Sequence, residues 1–289
     1  MLFLKNDLNF CEAANVNSSF NSIIKISDGD PEKEEVISFL RKNMIFAGYI
    51  LPNIINYGFD TDFFECFYAK NSSGNISFVA TRYYNSSQVF CESDNPLIAS
   101  DFANTVKKKG IKRISGNSEF MRRLKACFNG GALEEGTVVI LDNSKPDAQT
   151  LPPCTQANTI EEFQSIAALL MEDKSFAANY SVDLLSKQFY ERSRSKNGRN
   201  YYISDGDGTV LCHVGTYAEC DDLAVISGLK TRNGYFGHGY ATALMSSIKK
   251  TLVQEGKSII LYFYNPEHYS FFEQFGFLRV RKCAKIELF

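Results

Sequence analysis

The sequence has no excess of charge of either sign. Its 31 Lys and Arg stand against 33 Asp and Glu, for a net charge of −2. Binding to duplex nucleic acid requires concentrated Lys and Arg, so we expect no nucleic-acid partner. The one basic run, Lys107-Lys108-Lys109 before Gly110, is typical of a helix C-terminus, where cations complement the dipole and glycine ends the helix.

The sequence also lacks the closely spaced cysteines and histidines of a metal site. No Cys-x-x-Cys occurs among its 8 cysteines, and none of its 3 histidines stands near paired cysteines. Zinc sites need such ligand spacing, so we predict no metal. A chain of this length builds a core without disulfides, and we expect free thiols.

Long apolar runs are missing as well. The longest, residues 44–55, contains Pro52 and Asn53 and is too short to cross a bilayer. Polar residues begin at Lys5, so the start of the sequence does not resemble a signal peptide. We expect a cytoplasmic protein without membrane contact.

Aromatic residues, by contrast, are abundant. The 24 Phe and 15 Tyr exclude disorder as the dominant state. A length of 289 residues favours two domains, and the proline-containing segment 143–158 interrupts the periodic patterns. We predict one α/β domain over residues 1–145 and a second over residues 154–289.

The first half alternates helical and strand patterns without residues that suggest chemistry. The patterns predict a helix from Pro31, strands at 63–68, 76–83 and 88–91, a helix at 96–109, a strand at 112–115, a helix at 119–128 and a strand at 137–141. This mixture indicates an α/β or α+β fold.

The second half has clearer boundaries. Thr159 and Glu162 have the spacing of a capping box, and Asn265-Pro266 has the N-cap and first-position pair of a short helix. Between and after them we predict helices at 182–195 and 240–255, strands at 200–204, 209–218, 223–229 and 258–264, and a last strand at 279–288.

One glycine-rich loop in this half suggests a ligand. Arg232-Asn233-Gly234-Tyr235-Phe236-Gly237-His238-Gly239 leads from a predicted strand into a helix. The unpaired amides of a first helical turn favour an anion such as a pyrophosphate, although a tight turn without a ligand has the same pattern. The loop lacks the Gly-Lys-Ser/Thr of a P-loop and the third glycine of a dinucleotide fingerprint.

The sequence Phe236-Gly237-His238-Gly239-Tyr240-Ala241 resembles the Q/R-x-x-G-x-G/A acetyl-CoA motif of the GCN5-related N-acetyltransferase (GNAT) superfamily, with Phe236 in place of Gln or Arg. Downstream, Asn265 and the run Phe272-Glu273-Gln274-Phe275-Gly276-Phe277 resemble the second signature of that superfamily. The resemblance covers residues 154–289.

The resemblance implies an acyl-CoA N-acyltransferase fold, a mixed central sheet flanked by helices whose fourth and fifth strands splay apart. It implies acetyl-CoA as the cofactor, with pantetheine near Leu229 and Thr231 and with Asn265 and Phe272 beside it. The pyrophosphate would then lie on the residues of the loop and first turn: Gly237, His238, Gly239, Tyr240, Ala241 and Thr242.

The catalytic groups are less clear. Superfamily members often have a proton-donating Tyr where this chain has Phe272. Tyr269, one helical turn earlier, is our candidate acid, with a packing role or an ordered water as alternatives. A neutral attacking amine needs a base nearby; Glu219 is the candidate, although Glu219, Asp221 and Asp222 also fit a solvated hairpin tip.

The first half has a similar element order but no glycine loop before its helix at Pro96. It fits a degenerate GNAT-like copy that binds no CoA and helps to form the substrate cleft; an unrelated α/β domain is the alternative. The leading hypothesis is an acetyl-CoA-dependent N-acetyltransferase that acts on a small or amino-acid-like amine by direct attack in a ternary complex. A non-catalytic acyl-CoA sensor or regulatory module is the runner-up, and protein acetylation would need a more open cleft.

Overall fold

A computed structural model describes residues 22–142, 153–178 and 180–288. Within residues 22–142 the chain forms six strands: β1 (Ile24–Ile26), β2 (Phe64–Lys70), β3 (Ile76–Tyr83), β4 (Ser86–Cys91), β5 (Arg113–Asn117) and β6 (Ala132–Leu141). The same residues form five helices: α1 (Lys33–Lys42), α2 (Met44–Ala47), α3 (Ile50–Tyr57), α4 (Pro96–Lys109) and α5 (Ser118–Lys125).

The described residues after 152 form the remaining elements. Their strands are β7 (Thr155–Gln156), β8 (Asn200–Ser204), β9 (Val210–Glu219), β10 (Leu223–Thr231), β11 (Ser258–Phe263) and β12 (Phe277–Glu287). Their helices are α6 (Ile160–Leu170), α7 (Lys174–Ala177), α8 (Val182–Arg194), α9 (Tyr240–Gln254) and α10 (Tyr269–Glu273), the last preceded by a 3-10 turn at Pro266–His268.

All twelve described strands lie in one sheet, in the order β1-β2-β3-β4-β5-β12-β6-β11-β10-β9-β8-β7. The last strand of each half is exchanged: β6 pairs with β11 of the second half, and β12 pairs with β5 of the first. The two exchanged strands pair with each other at the centre of the sheet. If each strand is replaced by its counterpart six strands earlier or later in the chain, the result is the same order read from the opposite edge of the sheet.

Each half also repeats the same pairing pattern. Its fourth and fifth strands are parallel, β4 with β5 and β10 with β11, and the helix between them is α4 or α9. Its other neighbouring strands are antiparallel. This repeat supports the predicted duplication. The division into residues 1–145 and 154–289 remains a proposal, because the sheet runs across it and residues 143–152 of the predicted linker lie outside the described residues.

Local signals account for many of the boundaries. Asn95 accepts a hydrogen bond from Leu97 N–H, Pro96 takes a first-turn position of α4, and Gly110 ends that helix in the left-handed region. The capping box predicted at Thr159 and Glu162 is present with both of its hydrogen bonds. Pro52, inside the apolar run 44–55, lies in the first turn of α3, where a backbone N–H has no helical partner to lose.

The helices bury apolar residues on both faces of the sheet. In the second half, α9 and α10 cover one face with residues such as Leu244, Ile248 and Phe272, and α6 and α8 form a separate cluster with Phe163 and Phe189. In the first half, α4 and α5 pack in one cluster and α1 to α3 in another. The sheet therefore has two helical layers.

Within the described residues, no His, Cys, Asp or Glu side chains are grouped so that they could hold a metal ion. Seven cysteines in the described parts of the chain are free thiols. Across these same parts, no helix has the length and hydropathy that a bilayer span requires.

Candidate functional site

The glycine loop joins β10 to α9. Gly234, Gly237 and Gly239 adopt positive φ angles of 88°, 80° and 78°, which a residue with a Cβ rarely adopts. Gly239 is the N-cap of α9, and no side chain caps the helix. A Cβ at Gly237 or Gly239 would meet nothing within 4 Å. Residues 233–239 are exposed, so the uncapped first turn of α9 is accessible to an anionic group.

The parallel strands β10 and β11 separate next to this loop. Their pairing runs from Leu223 with Ser258 to Ile226 with Leu261, although β10 continues to Thr231. A register shift against β9 follows between Ser227 and Lys230. Backbone groups on this edge of β10 are therefore available to an extended ligand, as in the addition of a strand to a sheet.

His213 holds the irregular part of β10. Its imidazole is fully buried, and Nδ1 donates to the Gly228 carbonyl oxygen at 2.7 Å. Burial lowers the pKa of His213 to about 4, against the opposing effect of the Gly228 hydrogen bond. The ring is neutral at pH 7, so it positions the backbone of Gly228 and does not carry charge.

A cavity of about 300 Å³ lies where the split begins. It is lined by strands and helices of both halves at the centre of the sheet, and Ser227 of β10 is part of its wall. Its other lining residues are Phe46, Tyr49, Asn53, Tyr83, Ser86, Ser87, Gln88, Arg113, Ser115, Gly116, Phe176, Tyr180, Arg192, Tyr217, Tyr262, Tyr264, Cys283 and Lys285. This volume is at the small end of the range for ligand pockets.

Several buried tyrosines of the cavity wall are neutral at pH 7. Burial raises the pKa of the Tyr83 hydroxyl to about 12, with a smaller opposing effect of Arg192. Burial likewise raises the pKa of Tyr49, Tyr262 and Tyr264. These hydroxyls can donate and accept hydrogen bonds, but they cannot supply a negative charge.

The residues that we predicted to bind the cofactor lie at the C-terminal end of β10, in the loop and first turn of α9, and in the segment that follows β11. Gly237 to Thr242 form the loop and the first turn of α9, and Leu229 and Thr231 lie on β10 beyond its last pair with β11. Asn265 Oδ1 caps the following turn by accepting from Glu267 N–H at 3.0 Å. Phe272 is buried, with a ring 5.7 Å from that of Phe263, so its contact with a bound thiol stays a prediction.

Glu219 lies apart from these residues. Its carboxylate is 1 % exposed and pairs with Arg199 at 2.7 Å and with Lys257 at 3.1 Å. It also accepts a hydrogen bond from Thr216 Oγ1, and it is not part of the cavity wall. A carboxylate that is held by two cations and a hydroxyl is not free to take a proton from a substrate amine. This arrangement argues against the predicted role of Glu219 as general base.

Tyr269 contacts the apolar core and not the cavity. Its ring stacks on Phe263 with centroids 6.1 Å apart, and the Arg279 guanidinium lies 3.6 Å from its centroid. Its hydroxyl is 3.4 Å from the Phe277 carbonyl oxygen, a long hydrogen bond. These contacts favour the packing alternative over the acid.

The sequence reasoning missed the cavity, because its wall comes from segments far apart in the chain. One signal was available. Leu185, Phe189 and Arg192 occur at helical spacing on α8, and the first two are buried. A cation on the apolar face of a predicted helix is unusual and marks a position with a specific partner.

The corresponding loop of the first half is not suited to an anion. Only residues 92–95 separate β4 from α4. Asn95 caps α4, and Pro96 has no N–H to offer. The first-turn amides that are open in α9 are thus capped or missing in α4, as the predicted degenerate copy requires.

No protein-family model matches the sequence, and no curated protein matches it. Solved structures do match. A Drosophila protein from a structural genomics consortium aligns with 93% of this chain and 99% of its own, at 9% identity and a TM-score of 0.65. A tandem GNAT protein from the clavulanic acid biosynthesis pathway, solved without acetyl-CoA, aligns with 92% of this chain and 97% of its own, at 11% identity and a TM-score of 0.58.

A GNAT-family acetyltransferase from Colwellia psychrerythraea aligns with 93% of this chain and 100% of its own, at 12% identity and a TM-score of 0.51. At these identities the likeness concerns the fold. The predicted acyl-CoA N-acyltransferase fold is confirmed, and the tandem arrangement of one similar structure agrees with the two-part organisation of this chain.

Proposed function

We propose that this chain, which has the GNAT fold in a two-part form, is an acetyl-CoA-dependent N-acetyltransferase for a small amine. One observation carries the proposal: the uncapped glycine loop, the split between β10 and β11, and the cavity follow one another along β10. A thioester lying in the split with its phosphates on the loop would present its acetyl group to the cavity at Ser227.

The residues present fit acetyl-CoA. The amides from Gly237 to Thr242 suit a pyrophosphate, and the unpaired edge of β10 from Ser227 to Thr231 suits the amide groups of pantetheine. The cofactor supplies an activated acyl group, and the chain supplies orientation: the backbone N–H groups of this edge can polarise the thioester carbonyl, and the cavity holds the acceptor beside it.

Proton transfer in this proposal relies on hydroxyl groups. The cavity wall contains no carboxylate or imidazole among the described residues, and burial raises the pKa values of Tyr49 and Tyr217. Tyr49 and Tyr217 therefore stay neutral, and their hydroxyls can hydrogen-bond to the amine or to water without a net transfer of charge. As the amine nitrogen bonds to the acetyl carbon and the carbon–sulfur bond breaks, the proton lost by the amine would pass to the departing thiolate, directly or through water. Direct attack by the neutral fraction of the amine requires no covalent intermediate on the protein.

The test is Gly239→Glu. A bulky acidic side chain at the N-cap of α9 opposes a pyrophosphate by sterics and charge, and we expect at least a tenfold loss of CoA affinity in calorimetry. Gly74→Glu is the matched control, because Gly74 also has a φ of 80° and an open Cβ position but lies in the β2–β3 hairpin. Unchanged CoA affinity in Gly239→Glu would exclude the loop as the phosphate site.

A non-catalytic acyl-CoA-binding protein is the second candidate, because Phe272 cannot donate a proton where the superfamily often has a tyrosine. A panel of amines separates the two candidates through the release of CoA from acetyl-CoA. Tight acetyl-CoA binding without CoA release for any amine would favour the sensor.

A further inference from the structure

We infer that the cavity between the two halves binds an acceptor that carries a carboxylate group, with the Arg192 guanidinium as its counter-ion. This inference rests on the proposed function, because it names the substrate class of the same site.

The charges of the cavity wall are the first argument. Arg113, Arg192 and Lys285 line the cavity, and no Asp or Glu does among the described residues. Two of these cations have carboxylate partners: Arg113 pairs with Glu287 at 3.2 Å, and Lys285 pairs with Glu134 at 2.8 Å. The cavity is therefore positive, and its excess charge is at Arg192.

Arg192 lacks a carboxylate partner among the described residues, and its contacts are aromatic. Its guanidinium carbon lies 5.3 Å from the ring centroid of Tyr83 and 5.4 Å from that of Tyr217. The side chain of Arg192 is partly buried among these rings. A cation that is partly removed from water and has no counter-charge is costly, and an anionic ligand offsets that cost.

Two further groups in the wall lack partners. The hydroxyl oxygens of Ser87 and Tyr217 are buried and have no hydrogen-bond partner in the described structure. Since a carboxylate accepts several hydrogen bonds, it would satisfy hydroxyl donors and the guanidinium together. A neutral or cationic group would leave Arg192 unpaired.

Tyr217 also lies between Arg192, where the carboxylate would bind, and the part of β10 that separates from β11. Its ring contacts Arg192, and its hydroxyl lies 2.1 Å from the position that a Cβ on Gly228 would take. One tyrosine side chain therefore separates the Arg192 guanidinium from Gly228, which lies in the register shift of β10. A carboxylate at Arg192 places an amine a few bonds away next to the split, as in an amino acid.

The experiment compares acceptors that differ in this charge, and kcat/KM is expressed per neutral amine because the α-amine of the amide is a weaker base than that of the amino acid. CoA release is measured with phenylalanine, with phenylalaninamide and with the aminophosphonate analogue of phenylalanine. We expect kcat/KM for the amino acid to exceed that for the amide by about 100-fold, the usual effect of a desolvated charge pair. Equal kcat/KM values for acid and amide would overturn the inference, and a tenfold preference for the phosphonate would overturn its choice of carboxylate.

The variant is Arg192→Gln. It should lower kcat/KM for the amino acid by about 100-fold, mainly through KM, and leave the amide unchanged; Arg192→Lys should restore part of the loss. Arg194→Gln is the matched control, because Arg194 is an exposed cation on the same helix that contacts Tyr190. Equal losses for acid and amide in Arg192→Gln would show a structural role and reject the inference.

Calorimetry separates this inference from the proposed function. We expect phenylalanine to bind to the CoA-loaded protein, and to bind more weakly to Arg192→Gln while the CoA affinity stays unchanged. This result would support the carboxylate site even without turnover. CoA binding with no detectable binding or acetylation of any carboxylate-bearing amine would reject the inference and leave the CoA site in place.

Discussion

The side chain of Asn117 bridges β5 to Cys91 at the end of β4. Its Oδ1 accepts a hydrogen bond from Cys91 N–H at 3.1 Å, and its Nδ2 donates to the Cys91 carbonyl oxygen at 2.9 Å. The backbone pairing of β4 and β5 has already ended at Val89 with Gly116. In the second half, the equivalent strands part after Ile226 and Leu261 and stay open. The amide of Asn117 thus closes the place where the first half would hold pantetheine.

The first prediction concerns this closure. Wild-type protein should bind one CoA per chain, and Asn117→Ala should still bind one, because α4 remains capped by Asn95. The variant should lose about 1–3 kcal/mol of unfolding free energy, since it leaves backbone groups of Cys91 unpaired. Calorimetry and urea unfolding measure both quantities. Asn129→Ala, at an exposed loop position, is the control, and a stoichiometry of two would contradict the assignment.

The second prediction concerns pH and His213. The folded pKa of this ring is about 4, below its usual 6.5, so the unfolded chain binds a proton between these values that the folded chain does not bind. Stability should therefore fall as the pH drops from 6.5 to 4. From pH 7 to pH 5 the contribution of His213 is about 2 kcal/mol.

Urea unfolding of wild type and His213→Gln at both pH values isolates this contribution from that of the carboxyl groups. The variant should be less stable at pH 7 and should lose about 2 kcal/mol less than wild type on acidification. Identical losses in the two proteins would mean that His213 is not held neutral.

The third prediction separates stability from catalysis at Glu219. Glu219→Gln removes one of the two carboxylates that Arg199 and Lys257 share, and Glu255 remains as their partner. The loss of charge-assisted hydrogen bonds at the buried carboxylate should cost on the order of 1–3 kcal/mol. Thermal unfolding should show that loss. At a temperature where the variant is folded, its kcat should stay within threefold of wild type, and a loss of more than about 100-fold would restore Glu219 as the base.

The parts of the fold that sequence predicted best are those with local causes. Residues 76–83, 96–109 and 200–204 were predicted with the bounds of β3, α4 and β8. Turn residues, capping residues and hydrophobic periodicity lie within or next to such an element, and their effect does not depend on the rest of the chain. The glycine loop before α9 was also predicted from local sequence.

The exchange of β6 and β12 could not be predicted in this way. Both strands were expected near the ends of their own halves, but each pairs with the fifth strand of the other half. The choice of partner depends on contacts between residues far apart in sequence, which local patterns do not reveal. The cavity could not be predicted for the same reason, because its wall combines residues as far apart in the sequence as Tyr49, Gln88 and Arg192.

The last prediction concerns Tyr269. Its ring packs between Phe263 and Arg279, and its hydroxyl makes one long hydrogen bond to the Phe277 carbonyl oxygen. Removal of that hydroxyl leaves the ring contacts intact, so Tyr269→Phe should lower kcat by less than tenfold, whereas loss of a general acid costs about 10²- to 10⁴-fold. Tyr269→Leu removes the ring as well and should lower the unfolding temperature, because it deletes the stacking and the cation–π contact.

The measurement for Tyr269 is CoA release at saturating acetyl-CoA, with CoA affinity determined in parallel. A hundredfold loss of kcat in Tyr269→Phe at unchanged CoA affinity would identify the hydroxyl as the proton donor to the thiolate, since packing alone does not depend on one oxygen atom.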